Sequence, residues 1–351
     1  MIGLSETKKE RCIMVTIKDI AKDTGLSLAT ISKYINGGNV REKNRILIED
    51  SIRRLNFVVN EFARGLKTSR SRSIGVIIPD LSNLFITTII TSAEDILRSQ
   101  GYSILVCDCR GDSEQEKEAV QFLLGKRVDG IINMPVSHDG RHLDLAVAQE
   151  VPIILIDRMV SRLEDQVNTV LVDNVAGVAR AVHMLLEAGH RDIGIILGPK
   201  DVFTSGQRKL GYSKAMIAHG LLPQNQHILY SDYSVKGGYA AMKELVKHRG
   251  ITAVFASNYE MTLGAMIAVN DLGLRIPEEL SFIGFDHEQL SQVMRPRLTI
   301  VTQPLEKIGE AAAEILLHQL DTEKERREIK NVTLPTDMML GESIAPYSAE
   351  Q

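Results

Sequence analysis

Long apolar runs are missing from this chain of 351 residues. No stretch approaches the roughly 18 consecutive apolar positions that a membrane-spanning helix requires, so no membrane partner is expected. An apolar signal core is also missing, because Met1 to Arg11 already carries Glu6, Lys8, Lys9, Glu10 and Arg11. Cysteine is scarce. Cys12, Cys107 and Cys109 are too few for a disulfide framework, and the last two are badly spaced for a bridge or a zinc site. Reduced thiols and a cytoplasmic location are the expectation. The catalytic fingerprints are absent too. The chain has no Gly-x-Gly, no Gly-x-Ser-x-Gly elbow, no Walker A loop and no His-Glu-x-x-His helix. Its nine histidines are scattered, and isolated ones such as His183 and His219 read as helix-surface residues. An enzyme is disfavoured, and no metal or cofactor is expected.

What is present is an ordinary globular composition, 44% apolar and 25% charged, in a chain long enough for two or three domains. The net charge of -4 is unevenly spread. Residues 14–73 hold 12 Lys and Arg against 6 Asp and Glu, whereas residues 74–351 hold 26 against 37. A cationic head on an anionic body suggests a polyanionic partner for the head alone. Most charge runs are merely solvated faces, so the motif inside the head decides.

Thr16 reads as a helix N-cap, with Asp19 three residues on near the positive end of the dipole. Ile17, Ile20 and Ala21 then mark one face of a short helix ending near Thr24. Gly25 allows a left-handed turn, Leu26 plugs the corner, and Ser27 caps a second helix, Leu28 to Ile35. Ile31 and Ile35 face inward there; Leu28, Ala29, Thr30, Ser32 and Lys33 face outward. After Asn36-Gly37-Gly38, a third helix from Arg41 to Leu55 offers Ile46, Ile48, Ile52 and Leu55 to close a small core. Two short helices about a glycine turn make a helix-turn-helix, whose second helix enters the major groove of DNA.

Val15 to Asn36 resembles the DNA-binding head of the LacI/GalR family of bacterial transcription regulators, and the likeness continues to the C-terminus. The resemblance implies that Leu28, Ala29 and Lys33 read base edges. The Leu-Ala pair would do so by apolar contact, and Lys33 stands where an Arg is usual. Thr16, Ser27, Thr30, Ser32 and Asn36 are short polar groups suited to phosphates, which position the head without specifying sequence. Asn60 to Lys67 is similar to the family's hinge helix. Asn60 caps it, Arg64 and Lys67 flank its apolar face, and Leu66 is by position the wedge that enters a central base step of the minor groove. Val59 stands where a Pro usually precedes the Asn, and Gly65 weakens the helix by roughly 0.5–1 kcal/mol relative to Ala. Thr68 to Ser73 reads as a polar linker.

Beyond Ser73, short β-rich runs alternate with helical patterns. Ile74–Pro79, Tyr102–Cys107, Gly130–Met134, Val151–Ile156 and Thr169–Val172 form one set. Ile193–Leu197, Ala253–Ala256 and Ser281–Phe285 form another, with His227–Tyr230 a weaker member. These are more strands than one small sheet needs, so two subdomains with a cleft between them are expected. Ligands bind such sheets outside the carboxyl ends of the strands, where Asp80, Asp108, Arg110, Asp157, Arg158, Asn258 and Asp286 follow apolar runs.

The fold expected is a small all-α helix-turn-helix head followed by an α/β effector domain of two doubly wound parallel-sheet subdomains, periplasmic-binding-protein-like. Residues 1–13 are taken as a disordered extension, 14–59 as the head and 60–73 as hinge and linker. Residues 74–345 form the effector-binding and dimerisation domain, and 346–351 a tail. Its first subdomain comprises about 74–172 and 302–331, its second about 173–301 and 332–345. The resemblance places Asn83, Phe85, Arg110, Asp157 and Arg158 on one wall of the cleft and Arg208, Asn258 and Asp286 on the other. Phe203 and Tyr233 are candidates to stack on a ring. Tyr259, His287 and Gly341 depart from the family's Asp, Asp or Asn, and Arg. Arg110, Arg158 and Arg208 together suggest an anionic effector such as a sugar acid or sugar phosphate. The function implied is a homodimeric regulator, a repressor by family habit, on a pseudo-palindromic double-stranded operator. A small carbohydrate-type effector would switch its operator affinity. The alternative is a solute-binding protein or enzyme of similar fold without DNA binding.

Overall fold

The computed structural model describes residues 15–58, 70–223, 227–248, 250–286 and 288–347. The extension at 1–13 and the hinge candidates Asn60, Arg64, Leu66 and Lys67 lie outside the described residues. The chain divides into two compact units, Met1–Ser71 and Arg72–Gln351.

The first unit carries α1 (Ile17–Thr24), α2 (Leu28–Ile35) and α3 (Glu42–Leu55). Asp19 accepts from the Thr16 N–H at 2.8 Å and from its hydroxyl at 2.7 Å, which fixes the start of α1. Those bonds hold the Asp19 carboxyl below its ordinary range. Gly25 ends the helix at φ 67°, a conformation open to glycine at little cost. The centre is Ile20, Ile31 and Ile48, all fully buried, ringed by residues including Leu26, Ile35, Ile52 and Leu55. Ile46 does not join them and is 57% exposed. Ile48, Ile52 and Leu55 stand at i, i+4 and i+7 along one helix face, and a residue two places earlier points to the opposite side. Tyr34 on α2 donates to Glu49 on α3 at 2.8 Å, and Arg54 on α3 meets Asp23 on α1 at 2.8 Å, so polar ties reinforce the small core.

In the second unit, the chain runs β1 (Ser73–Ile78), α4 (Leu84–Ser99), β2 (Ser103–Asp108), α5 (Ser113–Gly125) and β3 (Gly130–Asn133). The short α6 (Asp144–Ala148), β4 (Ile153–Ile156) and β5 (Asn168–Val172) complete this half. It then crosses into α7 (Asn174–Glu187), β6 (Ile193–Leu197), α8 (Phe203–Ala218), β7 (Ile228–Tyr230), α9 (Val235–Leu245) and β8 (Ala253–Ala256). After these come α10 (Tyr259–Asp271), β9 (Ser281–Phe285), α11 (Glu288–Val293) and β10 (Thr299–Thr302). It returns through α12 (Leu305–Asp321) and β11 (Asn331–Leu334), and crosses a last time to β12 (Asp337–Met339).

Among the described residues, two six-stranded sheets result, in the orders β11-β5-β4-β3-β1-β2 and β12-β10-β9-β8-β6-β7. All pairs are parallel except β10 with β12, an antiparallel edge. Strands β10, β11 and β12 were not among the expected runs; β11 and β12 are short edge strands with half-exposed faces. Because β11 pairs with β5 from Asn331↔Thr169 to Leu334↔Val172, the last crossing follows Leu334 instead of falling at 331/332.

Both sheet faces are covered, so strands read as continuous apolar runs. On β1, Ile74, Val76 and Ile78 pack toward α4 and α12, while Ile77 joins Val120 and Leu123 of α5 on the other face. Helices α4 and α12 approach closely at Gly309, where a β-carbon would stand 2.2 Å from the Ile89 carbonyl oxygen. No described helix is long and apolar enough to cross a membrane.

Candidate functional site

Two surfaces concern function, one in each unit. In the first, Ser27 caps α2 by accepting from the Thr30 N–H at 3.2 Å, which aims the start of that helix outward. Leu28, Ala29 and Lys33 are exposed, with Thr30 and Ser32 half-buried beside them. Leu28 keeps 48% of its surface in solvent, a large apolar group exposed at a helix start. Asn36 closes α2 by donating to the Ser32 carbonyl at 2.7 Å. The helix offers the apolar pair, the cation and the short hydroxyls on one side, with Ile31 anchoring the other. Two short helices about a glycine turn with this exposed side make a helix-turn-helix.

In the second unit, a cleft of about 1060 Å³ opens at the carboxyl ends of the strands. It is lined by all eight expected residues: Asn83, Phe85, Arg110, Asp157 and Arg158 from the first half, Arg208, Asn258 and Asp286 from the second. The backbone explains two of them. Asp157 follows β4 and Asp286 follows β9, each at φ 62°, a left-handed turn that aspartate tolerates. Their amides make equivalent bonds, Asp157 N–H to Val170 and Asp286 N–H to Val301, so the two halves repeat one device.

Arg208 is held from three sides. Its Nε donates to Asn174 Oδ1 at 2.7 Å, Nη1 donates to the Ser257 carbonyl, and the guanidinium lies 4.1 Å from the centre of the Phe285 ring. Burial pushes the Asp286 carboxyl up to about 7, although Arg208 and a 2.6 Å bond from Gln303 favour its charge. Arg158 donates to the Pro135 carbonyl at 3.1 Å and lies 3.5 Å from Asp157. Two of the three arginines expected to draw an anion are thus engaged with protein acceptors. Six carboxylates also face the cleft: Asp80, Asp108, Asp157, Asp232, Glu260 and Asp286. Asp157 Oδ1, Gln303 Oε1 and Arg158 Nε are buried without a hydrogen-bond partner. The first two accept and the third donates, so a bound group that both donates and accepts, such as a hydroxyl, matches them.

Several lining residues were not predicted. Gln303 sits at the crossing from β10 to α12, and Glu260 lies one place past the Tyr259 that departs from the family pattern. Tyr233 does line the cleft, its hydroxyl 2.9 Å from that of Thr204 and its ring over Gly198, which leaves no room there for a β-carbon. Phe203, the first residue of α8, does not, although its neighbours Val202 and Thr204 do. Gly341 could not carry a side chain, since a β-carbon would stand 2.3 Å from the Arg297 carbonyl oxygen. His287 is outside the described residues. Glu116 on α5, fully buried, accepts from the N–H groups of Val136 at 2.9 Å and Ser137 at 2.8 Å, and so fixes the loop that presents Val136 and His138 to the cleft. Burial opposes its charge, but bonds from His142 and those amides hold its carboxyl below the ordinary value.

His183 and His219 are not isolated, their ring centres lying 4.9 Å apart. Among the described residues no group of three ligating side chains could hold a metal. The Cys107 and Cys109 thiols are free, and burial pushes Cys109 up to about 12.

A groove-reading helix pair and a two-walled polar cleft on one chain define a ligand-responsive DNA-binding regulator. Residues 16–60 match the family model for bacterial regulatory proteins of the lacI family, and residues 182–344 match a periplasmic binding protein-like domain. Catabolite control protein A of Priestia megaterium is 33% identical over 312 residues, covering 88% of this chain and 93% of the relative. The transcriptional repressor PurR of Proteus mirabilis is 32% identical over 315 residues, covering 89% and 92%. Among solved structures, the lac repressor dimer bound to operator and the anti-inducer ONPF superposes with a TM-score of 0.83 at 26% identity, covering 94% of this chain and 99% of that one. The regulator CelR in complex with cellobiose gives 0.71 at 27%, with the same coverage. The chain belongs to the LacI family of bacterial regulatory proteins.

Proposed function

We propose that this protein is a homodimeric, cytoplasmic transcriptional repressor that binds a pseudo-palindromic operator and is switched by a small carbohydrate-type effector held in its cleft. On DNA, α2 lies in the major groove, with Leu28 and Ala29 against thymine methyls and Lys33 on a guanine. Thr16, Ser27, Thr30, Ser32 and Asn36 meet phosphates. Asn60, Arg64, Leu66 and Lys67 take the hinge role that their likeness to the family implies, with Leu66 as wedge. The dimer follows from size, since one head makes few contacts and two heads on an inverted repeat reach successive major grooves. Effector closing the cleft rotates the first half against its twin and biases hinge pairing, a coupling of about 1–3 kcal/mol in typical cases.

The observation that supports the effector assignment is the set of unpartnered buried atoms, the acceptors Asp157 Oδ1 and Gln303 Oε1 and the donor Arg158 Nε, in a cleft where carboxylates outnumber arginines. Sugar hydroxyls both donate and accept, and so suit all three. The same balance favours a neutral sugar over the sugar acid or phosphate that the three arginines suggested. A thermal-shift panel of cellobiose, neutral monosaccharides, sugar acids and sugar phosphates tests this. Stabilisation by a neutral sugar is expected; stabilisation by sugar phosphates alone would reverse the charge assignment, and no response to any carbohydrate would remove the effector class.

A further inference from the structure

Glu260 lies in the first turn of α10, in the second half, and reaches across to the first. Its Oε1 accepts from Asn83 Nδ2 at 2.7 Å, the bond that crosses between the halves, while its Oε2 accepts from Asn258 Nδ2 at 2.5 Å within the start of its own helix and so fixes its orientation. Asn83 caps α4 in the first half; Asn258 caps α10 in the second. Each asparagine spends its side-chain oxygen on its own helix, Asn83 Oδ1 on the Ile86 N–H at 3.3 Å and Asn258 Oδ1 on the Met261 N–H at 3.0 Å. Neither amide can therefore flip without losing a cap, and both present NH2 groups to the gap. Only a group that accepts at both ends satisfies two donors at once, and an ionised carboxylate is that group. Burial and the nearby Asp80 push its carboxyl above the ordinary value, and the two asparagine donors at the starts of α4 and α10 work against that by favouring negative charge.

We infer that Glu260 is a latch that ties the two walls of the cleft together before any effector arrives, and so sets how much of the closure is already in place when one binds. The latch rests on the proposed role of the cleft as effector site. Its test uses neither DNA nor sugar, so its failure would leave that role standing.

The test is hydrogen–deuterium exchange on the full-length, ligand-free protein, comparing wild type with E260Q, N83D and the double variant. In E260Q an NH2 group replaces one acceptor and faces an asparagine NH2, so one tie is lost. N83D keeps a capping oxygen for α4 but sets a carboxylate against Glu260. Combined, the two changes put an amide donor opposite the new carboxylate and restore a tie. Each single variant should accelerate exchange roughly tenfold, the equivalent of one charge-assisted bond, in the first turns of both α4 and α10. The double variant should return both turns toward wild-type protection. Circular dichroism confirms that each variant is folded. Faster exchange confined to the half that carries the substitution, or no recovery in the double variant, would overturn the latch.

Discussion

Replacing Asp286 by asparagine should stabilise the protein at alkaline pH while abolishing effector binding. The side chain is 6% exposed at the end of β9, and burial raises its proton affinity from 3.8 to about 7. The sign follows from linkage. In the unfolded chain the carboxyl ionises near 3.8, whereas in the folded protein it keeps its proton until about pH 7. Stability from this group is fully present below 3.8 and is lost as pH rises to about 7, because the folded state binds the extra proton throughout that window. Asparagine has the same shape, can still accept from Gln303, and does not titrate. Between pH 5 and pH 8 the variant should therefore gain about 3 kcal/mol over wild type, taking roughly 1.4 kcal/mol per unit and the fraction of the shift spanned by those two values. Urea unfolding followed by circular dichroism at several pH values measures the difference, and titrations common to both proteins cancel. A difference that stays constant with pH would refute the assignment of a buried, proton-retaining carboxyl at this position.

Other sites give separable outcomes. Arg208→Ala removes the group held by Asn174, Ser257 and the Phe285 ring, and should abolish the effector response while operator affinity, read by fluorescence anisotropy, stays intact; a normal response would place the ligand elsewhere. Ile48→Ala empties the centre of the head core and should cost about 2–5 kcal/mol there, so operator binding is lost while sugar binding persists; an unchanged operator affinity would mean the core is not what holds α2 in place. Leu66→Ala should weaken operator binding without altering effector affinity in calorimetry, and equal affinities for operator would remove Leu66 from the wedge role.

Much of the head was legible because its signals are local. Thr16 with Asp19, Gly25 and Ser27 lie within a turn of the ends they define, and the structure uses each as the sequence suggests. Ile46 was misplaced because an apolar residue two positions from Ile48 satisfies composition but not the 3.6-residue period. The cleft was legible through a topological rule, since polar residues at strand ends must meet where parallel strands terminate. Asp157, Asn258 and Asp286 follow that rule. Glu260 does not, because its role depends on Asn83, 177 residues away and on the opposite half. Gln303 is hidden for a related reason, lying on a crossover between sheets that no periodicity marks. The edge strands β11 and β12 escaped because half-exposed strands lack the continuous apolar runs of buried ones.

The most direct test selects bound duplexes from a random double-stranded DNA library with the full-length protein, then repeats the binding with the sugar that gives the largest thermal shift. Enrichment of an inverted repeat, with affinity for it altered by that sugar, is the predicted result. A pool that stays random after successive rounds, or an enriched site whose affinity no sugar changes, would contradict a sugar-switched reader of operator DNA.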